Sequence, residues 1–361
     1  MIPVVGRDSP EKECMSTLLP NTEHSTGKPR IKRSVTGVRI LGSGSYVPET
    51  VLKNEDLAEL GCDTEWIRQR TGILERRIAG EDQATSDLAY MAALDCLNKA
   101  GMTADDIDLI LIATMTPDHF APSTACIVQN RLGCTAPALD LNAACSGFIY
   151  GLITAAQFVK TGCYRRILLI GAETMARTVN PKDIKTVPLF GDAAGAIIVG
   201  PSEDGENTDG ILSFELGSDG SQGELLLIPS GAFREPVTVE RVQNGRHYLH
   251  MDGRPVFKWA VRQVAQATRN VVADAGLSLD EIDAFIFHQA NIRILDAAVN
   301  DLGIDSEKVF TNLHNYGNTS AGSVPLAVDE AIKVGLIQPG SKSVLCGFGA
   351  GLTWGAVVFQ W

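Results

Sequence analysis

Short apolar runs and amphipathic stretches alternate along this chain, and their spacing predicts strands and helices in turn. The runs Leu109–Ala113 and Ala138–Leu141 are too short for helices and predict buried strands. Residues 64–71 and 85–100 carry helical patterns instead. Further elements are predicted as a helix at 54–60, as strands at 166–172, 193–199 and 344–346, and as a strand entering a glycine-rich turn at 38–48. This alternation favours mainly parallel sheets covered by helices.

The most apolar predicted helix follows a single cysteine, Cys145. Residues 148–159 are apolar or small on nearly every face, which predicts a buried helix, and Gly162 supplies its C-terminal stop. A thiol at such a helix start faces unpaired backbone N–H groups and the positive end of the dipole, and both favour the thiolate. Cys145 is therefore a candidate nucleophile, although an inert core cysteine fits the local pattern as well.

Two segments of the first half of the chain recur in the second half. Residues 100–112 match residues 275–287 with an offset of 175 (275 − 100), and residues 151–162 match residues 324–335 with an offset of 173 (324 − 151). A duplicated α/β unit of this kind predicts an α/β/α/β/α layering around shared buried helices. We predict a polar, loosely ordered tail over residues 1–35, an N-terminal half over 36–205 and a C-terminal half over 206–361.

Composition narrows the range of functions. With 361 residues, 45% of them hydrophobic and 20% charged, the chain is long enough for a large core. Its net charge of −12 argues against nucleic-acid binding, which needs concentrated Lys and Arg. The eight cysteines show no metal-type spacing, so we expect no metal site and a reducing, cytoplasmic compartment. We expect no membrane association, because no apolar run reaches membrane-spanning length and no secretion signal is recognisable.

The repeat offsets connect Cys145 with two polar residues of the second half. The offset of 175 places His288 at the end of a buried strand, in the position of Ala113, and the offset of 173 sets Asn318 opposite Cys145. Pseudo-twofold packing would bring these residues together near strand ends, where α/β sheets bind ligands. Histidine and asparagine can hydrogen-bond a developing oxyanion, so the three suit acyl transfer through a thioester. Taken singly, His288 fits a structural histidine and Asn318 a helix cap.

Several motifs of the chain occur together in one protein family. They are Asn142-Ala-Ala-Cys-Ser-Gly-Phe, His288-Gln-Ala-Asn-Ile-Arg, Asn315-Tyr-Gly-Asn-Thr-Ser, the glycine-rich turn Gly347-Phe-Gly-Ala-Gly, and Glu65-Trp-Ile-Arg-Gln-Arg-Thr-Gly-Ile. With them, residues 38–361 resemble the β-ketoacyl-acyl-carrier-protein synthase III family of the thiolase superfamily. The resemblance implies a homodimeric acyltransferase with a thiolase-like five-layered α/β/α/β/α fold. It also implies decarboxylating condensation of acetyl-CoA or a short acyl-CoA with malonyl-acyl-carrier protein, which begins type II fatty-acid synthesis.

The resemblance also implies a role for each site residue. Cys145 would take the acyl group from acyl-CoA, and His288 and Asn318 would hydrogen-bond the malonyl thioester carbonyl during decarboxylation. The backbone N–H groups of Cys145 and Ala350 would form the oxyanion hole. Contacts to CoA or substrate are implied for Trp66, Arg70, Gly253, Asn291, Arg293 and Phe348, and docking of the acyl-carrier protein for Lys258 and Arg293. Neither a cofactor nor a metal is implied.

Three places depart from the pattern of some relatives. Lys185 stands where some have an arginine for CoA, and Asn300 and Asp301 stand where some have a basic pair, which weakens the expectation of carrier-protein docking. The segment His119-Phe-Ala-Pro-Ser corresponds to one that reaches the partner's acyl pocket in the family. Ala121 there replaces a residue that is bulky in strict acetyl users, so we hypothesise that the pocket accepts a primer longer than acetyl.

Four other functions share part of this residue set. A cysteine protease with the same Cys, His and Asn order leaves the repeat unexplained, and a non-catalytic acyl-CoA-binding protein leaves the intact triad unexplained. A starter condensing enzyme of quinolone or polyketide type is the nearest alternative. A 3-hydroxy-3-methylglutaryl-CoA synthase needs a carboxylate base, for which the sequence offers no evident candidate.

Overall fold

The structure, a computed structural model, describes residues 33–202 and 209–361, so the tail predicted over residues 1–35 lies outside the described residues except for its last three positions. The strands are β1 (Val35–Thr36), β2 (Val38–Tyr46), β3 (Thr50–Lys53), β4 (Glu75–Ile78), β5 (Leu109–Ala113), β6 (Ala138–Leu141), β7 (Ile167–Thr174), β8 (Asp192–Pro201), β9 (Gly210–Ser218), β10 (Leu226–Leu227), β11 (His250–Met251), β12 (Ala284–Phe287), β13 (Lys342–Gly349) and β14 (Thr353–Gln360). The α-helices are α1 (Thr64–Thr71), α2 (Thr85–Ala100), α3 (Thr124–Leu132), α4 (Gly147–Lys160), α5 (Val239–Gln243), α6 (Gly253–Ala275), α7 (Ile292–Leu302), α8 (Leu313–Tyr316) and α9 (Ser323–Lys333).

Two mixed sheets form the frame of the fold. The first has the order β2-β8-β7-β5-β6 and the second the order β1-β9-β14-β13-β12. Strand β5 pairs in parallel with β6 and β7, and β12 pairs in parallel with β13, but the other pairings within these two sheets are antiparallel. The expectation of mainly parallel sheets is therefore wrong. The reason is that β7 returns into β8, and β13 into β14, without a helical crossover to keep the direction.

The helices divide into layers around these sheets, as predicted from the duplication. Helices α2 and α3 cover the outer face of the first sheet, and α6 and α7 cover the outer face of the second. Helices α4 and α9 lie between the sheets and contact both. Their side chains form the central core with residues from both inner sheet faces, including Phe148, Leu152, Val328, Leu345 and Phe359. The α/β/α/β/α layering is confirmed.

Strand β2 runs through the segment where a glycine-rich turn was expected. It pairs with β8 from Val38 to Tyr46, with Gly42 and Gly44 inside the ladder. A Cβ atom on Gly44 would come within 2.2 Å of the backbone nitrogen of Cys96 on α2. The glycines therefore serve close packing of a helix on a strand, and the predicted turn is wrong.

The offset of 175 relates equivalent elements of the two halves. Helices α2 and α6 are each followed by a capping glycine in the left-handed conformation, Gly101 and Gly276, and β5 and β12 begin at Leu109 and Ala284. Each helix is followed by a one-turn helix with a capping box, at Thr103 in the first half and at Ser278 in the second. The predicted duplication is confirmed over this segment, and it places His288 directly after β12.

The offset of 173 is correct at the end of the paired central helices and wrong at their start. Helix α4 has 14 residues and α9 has 11, so the equivalence shifts by three positions along them. Each is preceded by a short 3₁₀ turn whose first residue has a positive φ, 46° at Ala144 and 48° at Ser320. Asn318 accepts a hydrogen bond from the nitrogen of Ser320, as Asn142 does from that of Ala144. Asn318 is thus equivalent to Asn142, and the expected equivalence to Cys145 is wrong.

The predicted division of the chain into halves at residues 36–205 and 206–361 stays a prediction. One strand does not follow this division. Val35–Thr36 precedes β2 of the first sheet, yet it pairs antiparallel with β9 at the edge of the second sheet. No helix in the described part of the chain combines the length and the apolar character needed to cross a bilayer.

Candidate active site

A small buried cavity brings together the three residues singled out from the sequence. It has a volume of about 180 Å³, and Cys145, His288 and Asn318 all line it. Phe348 and Ala350, from the end of β13 and the turn after it, line the same cavity. Residues from both repeats therefore meet at one place, at the carboxyl ends of β12 and β13 and the entry to α4.

Cys145 lies in the middle of the 3₁₀ turn Ala144–Ser146, which leads directly into α4. Burial raises the pKa of its thiol from 9.0 to about 12, although a hydrogen bond with Ser320 lowers it. A helix start contributes about 1 kcal/mol, which is less than the roughly 4 kcal/mol that corresponds to this rise in pKa. Burial therefore outweighs the effect of the helix start, so that the resting sulfur is a thiol and must lose its proton during any acylation.

His288 lines the cavity, and one of its two ring nitrogens has a hydrogen-bond partner in the protein. Its backbone N–H donates to the carbonyl of Cys346 at 2.8 Å, and its Nδ1 lies 2.6 Å from Ser323 Oγ. The ring packs against the edge of Phe348 with centroids 5.1 Å apart. Burial lowers the pKa of His288 to about 3, so the imidazole is neutral at physiological pH. This geometry leaves Nε2 for a substrate and suits hydrogen bonding better than proton storage.

Asn318 is fixed by its backbone and by its side-chain oxygen. Its N–H donates to the carbonyl of Leu189, and its carbonyl accepts from Gly191. Its Oδ1 accepts from the nitrogen of Ser320 at 2.9 Å. The amide NH₂ group is therefore the part that remains for the cavity, and it is a donor without any ionisation.

The residues expected to contact CoA divide between the cavity and its surroundings. Gly253 and Asn291 line the cavity, together with Phe257. Trp66, Arg70 and Arg293 do not line it. Helix α1 is nevertheless tied to the cavity wall, because the Asn291 side-chain amide donates to the backbone carbonyl of Arg70 at 3.1 Å.

The outer residues have the character of a charged and aromatic rim. Trp66 is half exposed, with the Arg70 guanidinium 6.0 Å from its ring centroid. The guanidinium of Arg293 lies over the ring of Phe257 at 5.5 Å, and Lys258, the next residue of α6, is exposed. The CoA and docking roles of these residues stay predictions.

The positions that depart from the family pattern are also exposed or solvent-facing. Lys185 is exposed in the segment between β7 and β8, and Asp301 is paired with Arg269 at 2.9 Å. Ala121 is exposed, and the peptide bond joining it to Pro122 is cis. Next to it, Phe120 is 76% exposed, and its ring lies 6.1 Å from that of Phe233, which is 91% exposed. Phe120 lines a second cavity of about 1030 Å³, whose lining also includes Ala143, Ala144 and Ala350.

Three polar residues around the cavity were missed from the sequence. Ser323 bonds to His288, and Ser320 links Cys145 with the buried carboxylate of Glu173. Ser320 lies within a motif already noted, Asn315-Tyr-Gly-Asn-Thr-Ser. Glu173 is an acidic residue near the end of an otherwise apolar strand. An acidic residue in such a position is unusual enough to be noticed in the sequence as a candidate functional residue.

The chain is similar in sequence to known proteins of one family. Residues 139–220 match the family model for 3-oxoacyl-[acyl-carrier-protein] synthase III, and residues 272–361 match the model for its C-terminal part. A β-ketoacyl-[acyl-carrier-protein] synthase III from Rhodopirellula baltica is 53% identical over 343 residues, which cover 91% of this chain and 99% of that protein. The corresponding protein of Natranaerobius thermophilus is 48% identical over 329 residues, covering 91% of this chain and 100% of that protein.

A solved structure extends the similarity to the fold. The crystal structure of 3-oxoacyl-[acyl-carrier-protein] synthase III from Aquifex aeolicus is 42% identical and superposes with a TM-score of 0.82, covering 90% of this chain and 100% of that one. The predicted thiolase-like fold is confirmed by this similarity. The chain is a member of the β-ketoacyl-[acyl-carrier-protein] synthase III family.

Proposed function

We propose that Cys145, His288 and Asn318 perform the two half-reactions of this family's condensation. The chain is an acyltransferase of fatty-acid biosynthesis that condenses an acyl-CoA with malonyl-acyl-carrier protein. The observation that carries the residue assignment is the single cavity lined by all three side chains, one a potential nucleophile and two neutral hydrogen-bond donors. Each proposed step uses protein side chains and the two substrates, so the reaction needs no cofactor.

In the first half-reaction the Cys145 sulfur attacks the thioester carbonyl of acyl-CoA. The negative charge moves onto the carbonyl oxygen, where the N–H groups of Cys145 and Ala350 stabilise it. Gly349 supports this pairing, since the backbone there approaches so closely that an added Cβ would lie 2.9 Å from the Cys145 nitrogen. CoA then leaves, and the acyl group stays on Cys145 as a thioester.

In the second half-reaction malonyl-acyl-carrier protein occupies the position that CoA has left. The carbonyl oxygen of its thioester accepts hydrogen bonds from Nε2 of His288 and from the amide of Asn318. In this scheme Ser323 donates to Nδ1, 2.6 Å away, so that the proton of the neutral imidazole sits on Nε2 and faces the substrate. These donors stabilise the enolate formed by loss of CO₂, and its carbon attacks the acyl thioester to give the 3-ketoacyl product.

The rim and the exposed aromatic pair suggest how the larger partners bind. Trp66 and Arg70 offer a stacking surface for the adenine end of CoA, and the exposed cations Lys258 and Arg293 suit an acidic carrier protein. The protein acts as a homodimer, in which the exposed Phe120 and Phe233 are covered. The free thiols among the described cysteines support a reducing, cytoplasmic compartment.

A single-turnover assay of the purified protein with a panel of acyl-CoAs tests this proposal. Wild type is expected to gain one acyl group on Cys145, seen by mass spectrometry, and to release CO₂ and 3-ketoacyl product when malonyl-acyl-carrier protein is added. Cys145→Ala is expected to lose both, whereas Cys126→Ala, which removes an exposed thiol, retains both. Condensation by Cys145→Ala at the wild-type rate would disprove the assignment.

The acyl-CoA panel also tests the hypothesis on chain length. If the alanine at position 121 enlarges the acyl pocket, branched or longer acyl-CoAs are turned over at least as fast as acetyl-CoA, and Ala121→Phe restores a preference for acetyl-CoA. Rejection of all longer primers by wild type would contradict the hypothesis. A preference for an unusual aromatic starter would favour a role in secondary metabolism.

A further inference from the structure

A buried carboxylate lies behind the nucleophile and takes no part in the steps above. Glu173 ends the apolar run of β7 and exposes no surface. Its Oε1 is 3.0 Å from Ser320 Oγ, and Ser320 is also a hydrogen-bond partner of the Cys145 thiol. Because the two 3₁₀ turns pack together, the Ser320 hydroxyl lies between the sulfur and a carboxylate that solvent does not reach.

The direction of these hydrogen bonds is fixed at one end. Ser320 Oγ donates to Glu173, since a carboxylate can only accept. While Cys145 is a thiol, the serine oxygen has lone pairs free to accept from it, and the bonds point from sulfur to carboxylate. Once the proton has moved, the hydroxyl donates to the thiolate instead, which is the hydrogen bond that lowers the pKa of Cys145. The first orientation is the one that a proton needs in order to leave Cys145.

We infer that Glu173 holds the proton of the Cys145 thiol between the two half-reactions, taking and returning it through the hydroxyl of Ser320. The inference rests on the proposed role of Cys145 as nucleophile and adds the proton acceptor that this role requires. Glu173 touches no substrate in this scheme and acts only through Ser320.

The protons balance over the cycle. As the sulfur attacks acyl-CoA, the thiol proton passes to Ser320 Oγ while the hydroxyl proton passes to Glu173, so the carboxylate becomes a carboxylic acid. CoA departs as a thiolate and takes its proton from solvent. After the enolate attacks the acyl thioester, the sulfur leaves as a thiolate. The path then runs in reverse, which restores the thiol and the ionised Glu173.

The surroundings of Glu173 make it a better store for the thiol proton than His288. Burial raises the pKa of Glu173 to about 7, although hydrogen bonds from Thr116, Met115, Ser320 and Thr114 lower it. A group that titrates near the working pH can both accept and release a proton, whereas the pKa of His288, lowered to about 3, disfavours acceptance.

The other groups near Glu173 do not provide a competing acceptor. The four donors are uncharged, and Thr116 in turn contacts Thr85 of α2. On the neighbouring strand β8, the buried Asp192 accepts from the backbone nitrogens of Ala79 and Ala176, away from Ser320. Within the described ranges, Ser320 has two ionisable hydrogen-bond partners, Glu173 and Cys145.

Proton counting during acylation tests the inference directly. Wild type is mixed with a stoichiometric amount of acetyl-CoA in weak buffer at about pH 7.5 with an indicator dye. Because CoA leaves as a thiolate with a pKa above this pH, and the thiol proton stays on Glu173, we expect transient uptake of about one proton per acylated Cys145. Without storage, the thiol proton accompanies CoA and the net uptake is zero.

Two variants interrupt the path at different points. Glu173→Gln keeps the shape but removes the acceptor, and Ser320→Ala removes the link while leaving the other donors to Glu173 in place. Ala144 shows that alanine tolerates the backbone conformation of Ser320, because the two have nearly the same positive φ. Ser146→Ala is the matched control, since this buried serine adjoins Cys145 but bonds to Ala143 and Thr353 instead.

Both path variants are expected to acylate at least tenfold more slowly, without proton uptake, and to lose the rise in acylation rate that wild type shows as pH increases through about 7. The control is expected to keep both features. Acylation is followed by mass spectrometry in the same samples. If wild type is not acylated at Cys145, the proposed function fails. If it is acylated without proton uptake, or if Ser320→Ala retains the uptake, the inference about Glu173 is overturned.

Discussion

Gly349 is the position where a single added methyl group should damage the chemistry most directly. It is the last residue of β13 and faces the turn that carries Cys145, the proposed nucleophile. An added Cβ would lie 2.8 Å from the Cβ of Cys145, 2.9 Å from its nitrogen and 3.1 Å from its sulfur. The change Gly349→Ala therefore presses on the nucleophile and on one of the two proposed oxyanion donors at once.

The size of the effect follows from these contacts. Carbon atoms pack at about 3.5–4.0 Å, so relief of the clash requires a displacement of about 0.7 Å or more. Strand β13 pairs with β12 as far as Cys346 and with β14 as far as Gly349, so it cannot easily recede. The displacement falls mainly on the Cys145 turn. A misplacement of about 1 Å costs on the order of 100-fold in rate, and loss of one oxyanion donor costs about 100- to 1000-fold.

The assay separates this effect from a loss of folding. We expect Gly349→Ala to lower the rate of Cys145 acylation by about 100-fold, while overpacking lowers the free energy of unfolding by about 1–3 kcal/mol. Circular dichroism and a denaturant titration check that the variant is folded. Gly220→Ala serves as the matched control, because an added Cβ there meets nothing within 4 Å.

One result would refute this reasoning. If folded Gly349→Ala acylates Cys145 within about threefold of the wild-type rate, the close approach of β13 does not set the geometry of the reacting sulfur. The proposed pairing of the Cys145 and Ala350 N–H groups would then have to be abandoned.

Three further outcomes are expected. Ser323→Ala removes the hydroxyl 2.6 Å from Nδ1 of His288 and should slow condensation by about tenfold or more while leaving acylation unchanged; equal loss in both half-reactions would contradict this role. Pre-acylated enzyme should release CO₂ at a rate that shows no His288 titration between about pH 5 and 8, because the pKa of His288 is about 3; a midpoint near 6.5 would show the opposite. Gly44→Ala should cost about 3 kcal/mol of unfolding free energy in a urea titration, compared with little change for Gly220→Ala.

The sequence predicted elements whose limits depend on local signals. Helix Thr85–Ala100 and strand Leu109–Ala113 were predicted with the observed bounds, since helical periodicity, a glycine stop and a short apolar run mark them. Strand direction was not predicted correctly. Strands β7 and β8 are both buried almost throughout, and a continuous apolar run carries no information on whether its neighbour is parallel or antiparallel.

Errors arose wherever distant parts of the chain decide the local conformation. Gly44 suggested a turn, but its small size is needed because α2 packs against the strand. Asn318 was equated with Cys145 because a three-residue difference between α4 and α9 cannot be located from the matching helix ends. Glu173 was overlooked because its partner Ser320 is 147 residues away, and only the fold brings the two together.

The duplication also explains why only one of the two equivalent turns carries a candidate nucleophile. Because each 3₁₀ turn faces the end of the other half's strand, β13 reaches the turn of Cys145 and β7 reaches the turn of Ser320. With the offset of 176 that relates the turns and these strands, Cys145 is equivalent to Ala321 and Glu173 to Gly349. A sulfur in one turn requires the facing strand end to be glycine, and its absence in the other turn leaves room for a carboxylate. The nucleophile and its proposed proton store therefore follow from complementary substitutions at equivalent places.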